Sequence, residues 1–581
     1  MPSAAHFLLE AIVACEVDYL FCNLGTDHAP FIEEMARWRA QGLRLPKIIV
    51  CPHENTAVHM AGGYAAATGR GQVVLVHVDA GTANAAMALH NLARARIPVL
   101  VMAGRAPYSS HGELPGSRDA YVHFVQDPFD QASIVRPYVK WESTLHSGLV
   151  AKELVVRASA VMHSDPMGPA YLMLPREVLA AECEPTSDRA FSPTRYGPVK
   201  AGAASADAIH SIALRLLQAQ SPLLITAYAG RNPTTVGLIT ELALLAGVRV
   251  CEFNPVHLNI ARNAPCFGGF QSAQFAHTTD LGLLVDVDVP WIPKTTQENP
   301  DAFWVQIDID AIKRDFPTWS FPGHLRIEAD SALVLTQLID ALKAMATPEF
   351  HRRAASRVQL FAREHADRQR TAARQAEDPG AIGSLNPHHV CAAIGRLISA
   401  QDIVINEAIT NTLAVFEQIP RSEPGSLIGL PGGGLGFSGG MALGQKLARP
   451  DRRVIQIVGD GSFYFCNPTS LVAVAQQYRL PILTVVLDNG GWAAVKGATL
   501  RMYPQGQAWE QNDFSSRLAP DMDFSLTAQA AGAYGELLVS PDMVEAAIAR
   551  CLDAVDNGRS ALLHVRIAPL GPLSSHAQRA P

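Results

Sequence analysis

GDGSFYFCNPTSLVAVAQQYRLPILTVVLDNGGW, residues 459–492, is the stretch whose reading decides the fold. The apolar run Arg453–Val458 leads into Gly459-Asp460-Gly461, and a second run, Pro481–Leu487, ends in Asp488-Asn489-Gly490-Gly491. Between them, Pro468–Leu480 has the length of one crossover helix. A strand–helix–strand unit makes its two strands parallel neighbours, so Asp460 and Asn489 are predicted to emerge side by side at one sheet edge. A carboxylate, a side-chain amide and a glycine-freed backbone carbonyl at Gly491 suit a hard, octahedral ion such as Mg²⁺. Magnesium fills its other positions with phosphate oxygens and water, so the site predicts a diphosphate ligand.

Outward from this stretch, the same grammar occurs in three blocks. Short β-branched runs end in Gly, Asp or Asn, with helical stretches between them. The first block has Tyr19–Cys22, Lys47–Cys51, Val73–Val78 and Pro98–Met102. The second has Pro222–Thr226, Val248–Phe253, Leu281–Val285 and Trp304–Asp308. The third adds Asp402–Asn406 and Ala561–Ile567 to the two opening runs. Strands apolar on both faces and alternating with helices predict an α/β protein of parallel sheets covered on both sides. A Pro/Ser/Thr-rich linker at Pro185–Gly202 and a charged helical stretch near 348–380, broken at Asp378-Pro379-Gly380, suggest domains at 1–183, 200–345 and 381–570 and a polar tail.

Length and composition agree. Single cores stop growing at roughly 250–300 residues, so 581 residues call for several domains. With 48% hydrophobic and 17% charged residues, the chain reads as well-cored and globular. A net charge of −7 gives no footprint for nucleic acid. No apolar run reaches the roughly 18 residues of a membrane span, and the N-terminus, carrying Glu10, Glu16 and Asp18, does not read as a signal peptide. Nine cysteines without a Cys-x-x-Cys fit buried reduced thiols, hence a cytoplasmic protein. Gly434-Leu-Gly-Phe-Ser-Gly439 formally fits a dinucleotide fingerprint, but no clear strand leads into it and no acidic residue follows in the expected setting.

In the first block, Glu54 of Pro52-His-Glu-Asn55 follows a strand and opens a helix, where the dipole favours its charged form and burial opposes it. This segment, Pro52–Arg105, together with Gly459–Gly491 and PAYLMLPREV at Pro169–Val178, resembles the pyruvate-oxidase and decarboxylase superfamily of thiamine diphosphate (ThDP) enzymes. Acetolactate synthase, pyruvate decarboxylase and benzoylformate decarboxylase are members. The chain departs from the pattern in carrying Asp488 where the usual Asn-Asn pair has its first Asn.

The resemblance implies pyrimidine-binding, central and diphosphate-binding domains in that order. It implies that Glu54 hydrogen-bonds the aminopyrimidine and shifts it to the imino tautomer that deprotonates C2. Leu435 matches the bulky residue that bends the cofactor, while Thr410, Gly461 and Ser462 match its diphosphate contacts. Asp460, Asn489 and Gly491 match the metal ligands. His77, 23 residues after Glu54, matches an active-site histidine. Thr26 falls near the group that binds the substrate carboxyl, with Asp27 and His28 beside it equally placed. The implied function is a ThDP- and Mg²⁺-dependent C–C lyase or carboligase acting on a 2-oxo acid by decarboxylation through an enamine. An acetolactate synthase-type ligase and a catalytically silent ThDP-binding homologue are the alternatives. The central block lacks the stretch associated with FAD-binding relatives, so FAD is not expected. The resemblance also implies a homodimer or homotetramer with sites at subunit interfaces.

Overall fold

The computed structural model describes residues 1–184, 191–519 and 521–569, so the first part of the Pro185–Gly202 linker and the polar tail lie outside the described residues. The first sheet runs Lys47–Val50, Tyr19–Asn23, Gln72–Val76, Val99–Arg105, Ala170–Pro175, Glu142–Thr144, with every pairing parallel. The third runs Leu427–Gly429, Ile403–Glu407, Val454–Gly459, Leu483–Asp488, Ala561–Arg566, Tyr534–Leu538, again all parallel. Numbered along the chain, both follow the order 2-1-3-4-6-5. The central sheet instead runs Leu325–Glu328, Phe303–Asp308, Leu281–Val285, Pro222–Thr226, Arg249–Glu252, Phe267–Gly269, an order of 6-5-4-1-2-3. Its inner strands are buried end to end, as strands sandwiched between helix layers must be. The charged stretch forms the helix Pro348–Glu377.

Two expectations are corrected. The run Val73–Val78 stops as a strand at Val76, because the chain turns at the sheet edge and His77 becomes the N-cap of the helix Val78–Ala95. A strand, Leu427–Gly429, does lead toward Gly434–Gly439; at three residues on a sheet edge it leaves little periodic signal.

The first and third sheets share one core through two glycine-rich helices, Glu54–Thr68 and Phe437–Ala448. A Cβ on Gly63 would lie 2.4 Å from the Met441 carbonyl oxygen, and one on Gly444 would lie 2.2 Å from that of Met60. The backbones therefore touch directly. Gln445 Nε2 donates to the Gly63 carbonyl at 2.8 Å, and the Thr56 and Ser470 hydroxyls meet at 3.0 Å. Gly440 packs on Thr56 and His59 and Gly444 on Met60 and Tyr64, so the two helices run side by side in the same direction.

Candidate active site

Strands Val454–Gly459 and Leu483–Asp488 pair in parallel, with Gly459 opposite Leu487. Asp460 opens the short helix Asp460–Phe465, and Asn489 begins the loop after the neighbouring strand. Asp460 Oδ2 and Asn489 Oδ1 are both buried and have no hydrogen-bond partner among the described residues. Burial and the adjacent Asp488 carboxylate push the Asp460 carboxyl up to about 7. Burial pushes Asp488 the same way, but His564, the Gly490 N–H and Arg566 outweigh it and hold the group below the usual carboxylate range. His564 Nε2 meets Asp488 Oδ2 at 2.8 Å, Arg566 pairs with the same oxygen, and Gly490 N donates to Oδ1 at 2.8 Å. A charged Asp488 beside the unpartnered Asp460 Oδ2 and Asn489 Oδ1 is a donor set that fits a hard dication. Gly491, at φ 158°, leaves no room for a side chain, since a Cβ there would lie 2.2 Å from the Ser516 carbonyl oxygen.

Around this corner, the Trp492 ring packs where a Cβ on Gly461 would fall, and Ser462 is buried one residue on. Thr410 lies exposed in the turn Ile409–Asn411, just past the strand Ile403–Glu407. The loop carrying Leu435 is held from two sides. Glu407 accepts from the backbone N–H groups of Gly436 and Ser438 at 2.7 and 2.8 Å and from the Ser438 hydroxyl at 2.6 Å. From the first domain, Asn91 Nδ2 donates to the Gly434 carbonyl at 2.9 Å. Asn55 Nδ2 donates to the carbonyls of Gly436 and Phe465 at 3.3 and 3.2 Å. The backbone on either side of half-buried Leu435 is thereby held by both domains.

Glu54 is the first residue of its helix and is buried, with Asn84 Nδ2 donating to its Oε2 at 3.1 Å. His77, also at a helix start, pairs through Nδ1 with Oδ1 of buried Asp27. That hydrogen bond raises the His77 imidazole, against the effect of burial. Burial would raise Asp27, but its contacts with His28 and His77 hold it well below the carboxylate range. Of the two, His77 is the stronger partner, because His28 Nδ1 already accepts from the Gly25 N–H at 3.2 Å. Gly25 and Gly104 make room for the pair, since a Cβ on either would strike His77 or Asp27. Thr26 is exposed beside them, its hydroxyl 3.4 Å from His123 Nε2.

The sequence reading missed Glu407 and the Asp27–His77 pair. An acid at a strand end ahead of the glycine-rich loop was the available signal for the first. The second joins residues far apart in sequence and carries no local pattern. His564 and Arg566, two apart on one strand face, could have been read as partners for Asp488, with which Arg566 is in register.

The central sheet reverses its strand order between Pro222–Thr226 and Leu281–Val285, the crevice where folds of this topology hold dinucleotides. Here side chains occupy its mouth. The Tyr228 hydroxyl donates to Asp308 at 2.5 Å, and Lys313 Nζ lies 2.5 Å from Asp308 and 3.0 Å from Asp288. Arg96, the C-cap of the helix that His77 begins, pairs with Asp288 at 2.7 Å and stacks 4.1 Å over Tyr228. These contacts tie the mouth of the central crevice to the first domain through Arg96.

Residues 2–134 match the family model of the thiamine pyrophosphate enzyme N-terminal TPP binding domain, and residues 410–565 match that of the C-terminal TPP binding domain. Benzoylformate decarboxylase of Pseudomonas aeruginosa is 26% identical over 504 residues, spanning 82% of this chain and 84% of that protein. The acetolactate synthase isozyme 3 large subunit of Escherichia coli is 26% identical over 561 residues, spanning 89% and 88%. Among solved structures, the fold matches a ThDP-dependent 4-hydroxybenzoylformate decarboxylase of Rhodococcus jostii at a TM-score of 0.77, with 21% identity and coverage of 98% and 100%.

Proposed function

We propose that this chain, which belongs to the superfamily of thiamine diphosphate-dependent enzymes, is a Mg²⁺-dependent lyase or carboligase that decarboxylates a 2-oxo acid. The observation that carries the reading is the pair of buried, unpartnered oxygens of Asp460 and Asn489 at adjacent strand ends. Asp460, Asn489 and the Gly491 carbonyl would hold the ion, Thr410, Gly461 and Ser462 the diphosphate, and Leu435 the bend between the cofactor's rings. The cofactor, when bound, supplies the nucleophilic carbon and the sink for the electrons released with CO₂.

The protein's part is geometry and proton handling. Glu54, dry and positioned by Asn84, would meet the cofactor's pyrimidine. His77, whose protonated form Asp27 favours, would be an acid available to protonate the product carbon or, as the neutral imidazole, a donor to a carbonyl oxygen. Thr26, with its hydroxyl 3.4 Å from His123 Nε2, would meet the substrate carboxylate. The filled central crevice supports catalysis without FAD, which counts against an acetolactate synthase-type ligase. Glu54 and the ion-binding oxygens together count against a silent homologue. No helix among the described residues is long and apolar enough to cross a membrane, and the nine cysteines are unpaired, which supports a reducing, cytoplasmic setting.

The test is CO₂ release from a panel of 2-oxo acids with ThDP and Mg²⁺, with products identified. Aldehydes support the decarboxylase, whereas 2-hydroxyketones or acetohydroxy acids as the main products favour the ligase. Absence of turnover on every substrate, with ThDP bound, would sink the reading.

A further inference from the structure

Away from the cofactor residues, a cavity of about 620 Å³ lies between the central sheet's last strand, the helix Pro348–Glu377 and the helix Thr412–Gln418. That volume is in the range of small-molecule sites, about 300–1,000 Å³. Three rings, Phe267, Phe270 and Phe416, line it, with Phe270 and Phe416 stacked at 5.1 Å. The Arg262 guanidinium lies 4.4 Å from the Phe270 ring centre and 5.1 Å from that of Phe267. Arg262 is 4% exposed, and its Nη2 lies 2.6 Å from Glu252. Its Nε and Nη1 have no partner among the described residues, and the same is true of both ring nitrogens of His365, which is 8% exposed. On another wall, Glu417 Oε2 is buried without a partner, and burial raises that carboxyl.

Native proteins rarely leave so many buried polar atoms unsatisfied in one place, and each is costly unless a ligand or water meets it. The signs are mixed. Glu252 balances Arg262, Arg368 adds a cation, and Glu417 presents an acid with nothing to hold. A simple anion would leave Glu417 unmet, and a simple cation would leave Arg262 and His365 unmet. The rings require an apolar body beside the two poles.

We propose that this cavity binds an α-amino acid with a large apolar side chain as its zwitterion. The carboxylate would take the free Arg262 and His365 donors, the ammonium would take Glu417, and the side chain would lie among the three phenylalanines. The site bears on the cofactor region by a short path. The helix Thr412–Gln418 directly follows the turn that carries Thr410, and Gln418 Nε2 ties the helix to the Ala372 carbonyl at 2.8 Å. Any coupling is reciprocal, so cofactor and amino acid would shift each other's affinity by the same factor.

The test is titration calorimetry on the full-length protein with L-phenylalanine, phenylacetate (no ammonium) and 2-phenylethylamine (no carboxylate). Saturable binding of L-phenylalanine, at least tenfold tighter than either fragment, is expected. Glu417→Gln should cost L-phenylalanine tenfold and leave phenylacetate unchanged, while His365→Phe should weaken both. Unaltered ThDP affinity in each variant, measured without amino acid, shows that the fold is intact. Phenylacetate binding as tightly as L-phenylalanine, an L-phenylalanine affinity indifferent to Glu417→Gln, or no binding of any probe would overturn the proposal.

Discussion

Asp488 carries the charge that Asp460 must live beside, and neither the strand pairing nor the local hydrogen bonds let the two separate. His564 and Arg566 satisfy Asp488 alone, so Asp460 is the oxygen donor left for an ion. Asp460→Ala should therefore abolish Mg²⁺-dependent ThDP binding, read by calorimetry with and without Mg²⁺; wild-type affinity would show the ion is held elsewhere. His77 provides the matching test on the first domain. It faces Asp27 and Asp79 as nearby acids, with Gln126 also hydrogen-bonding it. Its raised value means the acid form persists to higher pH and is lost as pH rises through that value. Asp27→Asn removes the main cause and should move the alkaline limb of the activity profile to lower pH. A limb that stays in place, whatever its height, would remove His77 from the proton-handling role.

At the level of elements, close helix contact sets the approach of the two sheets. A methyl on Gly444 would collide with the backbone of Met60, Tyr64 and Gly63, whereas one on Gly433, in the same glycine-rich region, meets nothing within 4 Å. Gly444→Ala should destabilise the fold by about 1–3 kcal/mol and lower its melting temperature, and Gly433→Ala should be close to neutral. Equal effects from the two would mean the helix contact is not limiting. The same elements mark what could be read in advance. The crossover rule places Asp460 and Asn489 at neighbouring strand ends because it depends only on a strand, a helix and a strand in succession. The strands Glu142–Thr144, Phe267–Gly269, Leu325–Glu328 and Leu427–Gly429 escaped because three or four residues at a sheet edge give no periodicity to detect, while the longer Ala170–Pro175 and Tyr534–Leu538 were not read as strands either. Glu407 escaped for another reason: its partners are backbone N–H groups, which have no letter in a sequence.

For the whole molecule, the remaining question is which chain completes each site. Within one chain Asn55 already reaches the Gly436 and Phe465 carbonyls, so a site made by a single chain is the competing arrangement. The Glu54 carboxylate, however, is met among the described residues only by Asn84, with His53 at 4.0 Å, and both belong to its own domain. Large apolar side chains also stay exposed at Tyr121, Phe124, Val125 and Phe129, and again at Val495, Met502, Tyr503 and Trp509. Exposed apolar patches of this kind mark a surface that a partner covers. We therefore expect two chains to share their sites, each first domain facing its partner's third, in a dimer or a pair of dimers. Mixing Glu54→Gln chains with Asp460→Ala chains discriminates the two arrangements. With shared sites, half the dimers at random exchange are mixed and each mixed dimer rebuilds one site of two, so about a quarter of wild-type activity should return. If each chain completes its own site, every site keeps one defect and nothing returns. Subunit exchange, followed by native mass spectrometry of differently tagged chains, must be seen alongside. Exchange without recovered activity would assign each site to a single chain.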